Sequence, residues 1–176
     1  MKVVHLNMQD RRGGAGKAVY RLHKKLIQLG VNSHLLVSHL TNQKDGSVSE
    51  ADVSFFGRVK RKYIKKIENF PFKINHYHRE SEFSVNWISQ VNVNNSLITS
   101  ADIVGLYWIG HGFVSPKEVG KINKPIVWRL SDTWPFTGGC HYPGNCTKYE
   151  EVCGACPKIH SKNKKDFTYK KRSPVL

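Results

Sequence analysis

Met1-Lys-Val-Val-His-Leu-Asn7, the glycine run Gly13-Gly-Ala-Gly16, and His34-Leu-Leu-Val-Ser-His39 together decide the fold. The first is a short apolar run, and the glycines follow it after the polar Gln9-Asp-Arg-Arg12. Val19, Leu22, Leu26 and Leu29 then recur at helical spacing, and Gly30 supplies the expected stop. With Leu35-Leu36-Val37 as the centre of a second strand, the first forty residues read as one β-α-β unit. Its extension is an α/β domain with a Rossmann-like, doubly wound, mostly parallel sheet.

Working outward, Ala101 to Trp108 reads as a strand ending in aromatics, and a Gly110-His-Gly112 turn follows. Ser115-Pro-Lys-Glu118 is a capping box with proline at the first helical position. Gly120 and Lys124-Pro125 close that short helix, and Ile126 to Leu130 is the next strand. The stretch from Thr41 to Asn95 is the least regular, broken at Asn69-Phe-Pro-Phe-Lys73. Within it, Val59, Tyr63 and Ile67 fall four apart, so a helix over 58–67 carries a narrow apolar stripe flanked by six basic groups. Such a helix either packs its stripe on the domain or lies on an anionic membrane.

The chain has 176 residues and 39% hydrophobic content, enough for one core and one domain. We expect that domain to span 1–157 with a cysteine-rich loop over 134–157. The basic stretch 158–176 is expected to be a solvated tail or the start of a connecting segment. Lys and Arg outnumber Asp and Glu by 28 to 13, a net charge of +15, so anionic partners are expected: nucleic acid, membrane or phosphorylated substrate. No run approaches the roughly eighteen apolar residues of a membrane-crossing helix. The first residues read as a strand rather than a signal sequence, which points to the cytoplasm.

All four cysteines, Cys140, Cys146, Cys153 and Cys156, fall within seventeen residues. The last two form a CxxC whose glycine would let both sulfurs turn to one point, so a structural zinc site is one reading, with His141 or His160 able to replace a sulfur. Disulfides or four free thiols are the alternatives.

In open α/β sheets ligands bind beyond the carboxyl ends of the strands. Three loops are therefore candidates: Gly13, Gly14, Ala15 and Gly16; Tyr107 and Trp108 to Phe113; and Ser131 to Cys140. The first offers free N–H groups at a helix start, suited to a phosphate, yet it is neither GxGxxG nor a Walker loop. In the third, Asp132 can accept hydroxyl hydrogen bonds and Trp134 can present an aromatic face to a sugar, or simply anchor the loop. Trp108 has the same two readings, and Arg129 either pairs with an acid or points to the ligand edge.

The opening strand with Gly13-Gly-Ala-Gly16 and Tyr20-Arg-Leu-His23, the segment Asp102-Ile-Val-Gly-Leu-Tyr-Trp-Ile109, and above all Ser131-Asp-Thr-Trp-Pro-Phe-Thr-Gly-Gly-Cys-His-Tyr142 with Cys153-Gly-Ala-Cys-Pro157 resemble the amino-terminal half of bacterial family-4 glycosyltransferases that build surface polysaccharides. The resemblance implies one half of a GT-B fold, the acceptor side, needing no catalytic metal. A nucleotide-sugar donor would bind with its diphosphate near the glycine loop. Asp132 would be catalytic, and Tyr107, Trp108, Arg129, Ser131 and Trp134 would line the cleft for a saccharide or lipid-linked acceptor. It also implies a donor-binding domain supplied in cis or in trans, since no Glu-rich nucleotide-sugar motif is present. Docking of 58–67 on the inner membrane face fits the same likeness. Ser131 stands where such enzymes usually carry histidine. The rival from another class is a basic, zinc-stabilised nucleic-acid-binding module, although the cationic blocks lack the interleaved surface aromatics that stack bases. A third reading is a non-catalytic partner subunit.

Overall fold

A computed structural model of the chain describes residues 1–41, 45–52 and 54–169. It contains a five-stranded sheet in which every pairing is parallel, in the order β3-β2-β1-β4-β5. The strands are β1 (Lys2–Gln9), β2 (Asn32–His39), β3 (Val48–Glu50), β4 (Ile103–Leu106) and β5 (Ile126–Trp128). The helices are α1 (Gly13–Gln28), α2 (Phe55–Ile74) and the single turns α3 (Ser96–Thr99) and α4 (Pro116–Val119). This is the α/β, Rossmann-like architecture expected from the opening unit. Strand order reverses between β1 and β4, which are hydrogen-bonded neighbours with Val3 opposite Ile103 and Leu6 opposite Leu106. A crevice forms beyond their carboxyl ends at such a switch point.

Alternation along β1 sends Val4 and Leu6 to one face, where they join Leu36, Val104, Leu106, Ile109 and Phe113 in the main core. The opposite face packs Leu35, Val37 and Val48 with Val19 of α1. Helix α1 departs from its expected inward stripe: Leu22 and Leu29 are exposed, while Gly16, Val19 and His23 are buried. The reason is polar. His23 reaches Ser33 through Nδ1 (2.8 Å) and Ser47 through Nε2 (2.9 Å), and Ser33 also meets His5 Nε2 (3.0 Å). Gly16 permits the close approach of α1 to β1, because a Cβ there would sit 3.1 Å from the Gln9 carbonyl oxygen. Gly30, at φ +78°, ends the helix as expected.

Helix α2 runs well beyond 58–67 and passes through Pro71, so the expected break is absent. Proline inside a helix sacrifices one backbone bond, yet here the face around it is anchored. The Glu68 carboxylate accepts the Val85 and Asn86 N–H groups at 2.7 and 2.6 Å. Phe72 lies edge-on to Phe83 (5.4 Å) and Phe167 (5.2 Å), pairs worth about 0.5–1.5 kcal/mol each beyond burial. The buried face is thus Gly57, Ile64, Glu68, Pro71 and Phe72, whereas Val59 and Tyr63 of the expected stripe face solvent.

Residues 158–169 are not a solvated tail. Ile159, Ser161, Asp166 and Thr168 are buried, and the Asp166 carboxylate accepts the N–H groups of Cys156 (3.0 Å) and Thr168 (2.9 Å). The remainder of the expected tail, 170–176, lies outside the described residues. The Ser115 cap and Pro116 at the first turn of α4 are as the capping box predicts.

Candidate functional site

Beyond the carboxyl ends of β1, β4 and β5 lies an open cleft of about 770 Å³. Its first wall is the β1–α1 connection, Arg12 and Gly13 to Gly16, where no side chain caps the α1 N-terminus and the leading N–H groups are left for an incoming anion. Its second wall follows β4 and contains Trp108 and His111. The third follows β5 and contains Arg129, Ser131 and Asp132, with Tyr142 and Glu82 completing the rim. The strand ends are sewn together by backbone: Met8 donates to the Trp108 carbonyl (2.8 Å), Trp108 N–H to Asn7 Oδ1 (2.9 Å), and Arg129 N–H to the Leu106 carbonyl (2.9 Å).

The three candidate loops therefore meet, but two expected cleft residues do not reach the opening. Tyr107 is buried, with its hydroxyl on His5 Nδ1 (2.9 Å), and burial pushes that phenol up to about 12. It directly follows β4 with its side chain on the α1 face, while Trp108 after it points the other way. Trp134 is 5% exposed and donates its indole N–H to the Ser84 carbonyl (2.9 Å), so it anchors the loop.

Asp132 is held from two sides. Its Oδ1 accepts the Trp134 N–H (3.0 Å), and its Oδ2 lies 2.6 Å from His141 Nδ1. A carboxylate only accepts, so this nitrogen carries the proton, and Nε2 accepts the Ser84 hydroxyl (2.8 Å). Ser84 Oγ in turn accepts the His111 backbone N–H (2.9 Å). The Trp108 indole N–H lies 3.2 Å from the same Nδ1 and packs close over the imidazole, ring centroids 5.3 Å apart. The order Ser84, His141, Asp132 has the connectivity of a hydrolytic triad, but Ser84 is fully buried and no substrate can approach its oxygen. Its work is to fix His141 and, through it, Asp132.

Glu82, Ser84 and His141 come together because 82–84 pairs antiparallel with 139–141: Phe83 is bridged to Cys140, Ser84 N–H donates to the Gly139 carbonyl (2.9 Å) and His141 N–H to that of Glu82 (3.1 Å). Sequence reasoning missed this wall. The one available signal was His111, set between two glycines at the end of a strand, and it does take a left-handed backbone (φ 54°).

The cysteines do not form the expected zinc set. Among the described residues no three His, Cys, Asp or Glu side chains are grouped so as to hold a metal ion. The four thiols are free and border a narrow pocket, and both proposed substitute ligands are engaged elsewhere, His141 as above and His160 by Glu80 (3.1 Å). Burial raises the Cys140 and Cys153 thiols and pushes Cys156 up to about 12, so these three stay protonated at neutral pH. Cys140 and Cys156 instead pack with Phe72, Phe83, Val85 and Ile159 in a second hydrophobic cluster.

With the cleft in place, comparison with known proteins gives one direction. The chain is similar to a glycosyltransferase. It is 22% identical over 165 residues to the putative colanic acid biosynthesis glycosyl transferase WcaC of Escherichia coli (strain K12). The match covers 92% of this chain and 40% of that protein, so the chain spans about two fifths of its relative's length. No protein-family profile and no solved structure matches significantly. Among the described residues no helix is long and apolar enough to cross a membrane.

Proposed function

We propose that this chain is the acceptor-side domain, one half of a GT-B fold, of a glycosyltransferase that moves a sugar from a nucleotide-sugar donor to a lipid-linked or oligosaccharide acceptor in surface polysaccharide synthesis. The observation that carries the reading is the two-ended chemistry of the cleft. At one end, Arg12, Arg129 and the uncapped start of α1 offer positive potential for a diphosphate. At the other, Trp108 and Tyr142 offer aromatic faces, with Glu82 as an acceptor for hydroxyl groups and the Asp132 carboxylate, 6% exposed, set beneath them. The likeness to a colanic acid biosynthesis glycosyl transferase supports the same reading.

In this proposal Gly13, Gly14, Ala15 and Gly16 lie against the donor diphosphate, with the donor's remaining contacts made by a second domain in cis or in trans. Asp132, fixed by Trp134 and His141, is the candidate catalytic carboxylate, and Ser131 and Trp108 line the path of the acceptor. The full-length protein incubated with nucleotide sugars and lipid-linked or oligosaccharide acceptors is expected to transfer sugar. Absence of transfer, together with absence of any nucleotide or saccharide response from this domain, would sink the reading.

Helix α2 suggests where the reaction takes place. Phe55, Phe56, Tyr63, Phe70 and Ile74 are all more than half exposed, and Arg58, Lys62, Lys65, Lys66 and Lys73 surround them. The basic block thus has more surface aromatics than its sequence suggests. Phe56, Val59, Tyr63 and Phe70 follow one helical face in a line, as docking on a flat anionic membrane requires. A cytoplasmic enzyme held peripherally on the inner membrane face would meet lipid-linked acceptors there.

A further inference from the structure

The rim of the cleft holds a pair of side chains that the proposed function has used only in part. His111 Nε2 is hydrogen-bonded to Glu82 Oε1. The partner is a carboxylate, so Nε2 carries the proton and Nδ1 is left with a lone pair. Among the described residues His111 Nδ1 and Glu82 Oε2 have no hydrogen-bond partner, and both side chains are partly exposed, 31% and 47%. Neither is free to wander. The backbone N–H of His111 is fixed on Ser84 Oγ, its ring lies edge-on to Trp108 (centroids 5.0 Å) and near-parallel to His141 (6.2 Å, 27°), and Glu82 is tied at its carbonyl to His141.

We propose that His111 and Glu82 together form a hydroxyl-receiving subsite for the acceptor sugar. His111 Nδ1 and the second Glu82 oxygen accept hydrogen bonds from hydroxyls of a neutral saccharide ring that rests against Trp108. The inference rests on the glycosyltransferase reading above and deepens it. Charge decides which end of the substrate pair belongs here. A carboxylate repels a diphosphate, and the groups that attract one, Arg12, Arg129 and the α1 start, come from the β1 and β5 loops. An uncharged, hydroxyl-rich ring is what two acceptors beside an indole face select. The groups facing His111 are Glu82, His141 and Arg79; burial is the largest influence on its imidazole and lowers it from the ordinary 6.5, so the neutral, accepting form prevails at neutral pH.

Two measurements test this. Imidazole nitrogen NMR on the unaltered chain at pH 7.5 should find His111 neutral with its proton on Nε2; a proton on Nδ1 leaves no lone pair to offer and overturns the subsite. Transfer kinetics on the full-length protein should show the acceptor KM raised about tenfold or more by His111→Asn and by Glu82→Gln, with the donor KM changed less than about twofold. The acceptor KM of the unaltered protein should also climb as pH falls below 6.5, a trend that His111→Asn should abolish and that a merely structural residue would not produce. Unmoved acceptor KM values, or a rise confined to the donor KM, overturn the subsite while leaving the glycosyltransferase reading intact. If the unaltered protein transfers no sugar at all, the parent reading fails and the subsite falls with it. Both side chains are partly exposed, but should His111→Asn fail to fold, Glu82→Gln and the NMR measurement still decide.

Discussion

Ser84 stands where two imidazoles meet, donating to His141 and receiving the His111 N–H. Removing its hydroxyl leaves two buried groups without this partner, which typically costs about 1–3 kcal/mol. Ser84→Ala should therefore lower the urea midpoint by a corresponding amount, and the His141 imidazole signals should broaden or move; an unchanged midpoint would show that the network bears no weight. Gly139 is the stricter position. Its φ is +138°, and a Cβ there would lie 2.2 Å from Phe83 Cε1, so Gly139→Ala forces Phe83 out of its packed place. We expect a loss of about 2–4 kcal/mol by equilibrium unfolding, from backbone strain and overpacking together.

At the scale of elements, α2 joins a buried acidic and aromatic face to an exposed basic and aromatic one. Vesicles containing anionic lipid should sediment the protein, and neutral vesicles should not. Phe56→Ser with Phe70→Ser should weaken that partitioning by at least about tenfold, since burying even one phenyl ring is worth about 1.5–3 kcal/mol. The melting temperature should hardly change, because neither ring is buried in the fold. Vesicle binding that vanishes in salt but ignores the phenylalanines would show attachment by charge alone and overturn the docking of this aromatic face. Here also lies the boundary of what sequence shows. Strands β1, β2, β4 and β5 declare themselves through apolar runs, and α4 through its capping box. The length of α2 does not, because Pro71 reads as a stop and only the distant partners of Glu68 and Phe72 explain why the helix continues. The segment 82–84 is equally silent, since its order comes from residues 139–141 and not from its own neighbours. Trp134 shows the same limit at the site: an aromatic next to a carboxylate looks alike whether it greets a ligand or plugs the core.

Across the whole molecule, the α1 face of the sheet is unusually polar. A hydrogen-bonded chain runs from Tyr107 through His5, Ser33, His23 and Ser47 to Asp45, which also accepts from Tyr20. Burial, helped at His5 by the neighbouring His23, lowers both histidines to about 4. At His23, Asp45 pulls the other way and Lys24 and His34 add to the lowering. These groups are neutral when folded but gain protons below about 6.5 when unfolded, so the unfolded state binds more protons between pH 6.5 and 4. Stability is then fully present above pH 6.5 and declines as pH falls, by up to about 1.4 kcal/mol per pH unit for each histidine. Urea midpoints at pH 7.5 and 5.0 should differ in that direction, and His23→Gln should flatten the dependence; a midpoint that rises on acidification would contradict it.

The pairing of 82–84 with 139–141 has a temporal side. Its two halves are far apart in the chain, with Ser84 and His141 separated by 57 positions, whereas β1, α1 and β2 are close neighbours. Contacts between distant positions pay their loop-closure entropy before they yield any stabilisation. The opening unit can thus gather early, while the wall holding Glu82, His111 and Asp132 waits for residue 141 to arrive. On the ribosome, the nascent chain would have a sheet well before it had the far wall of its cleft.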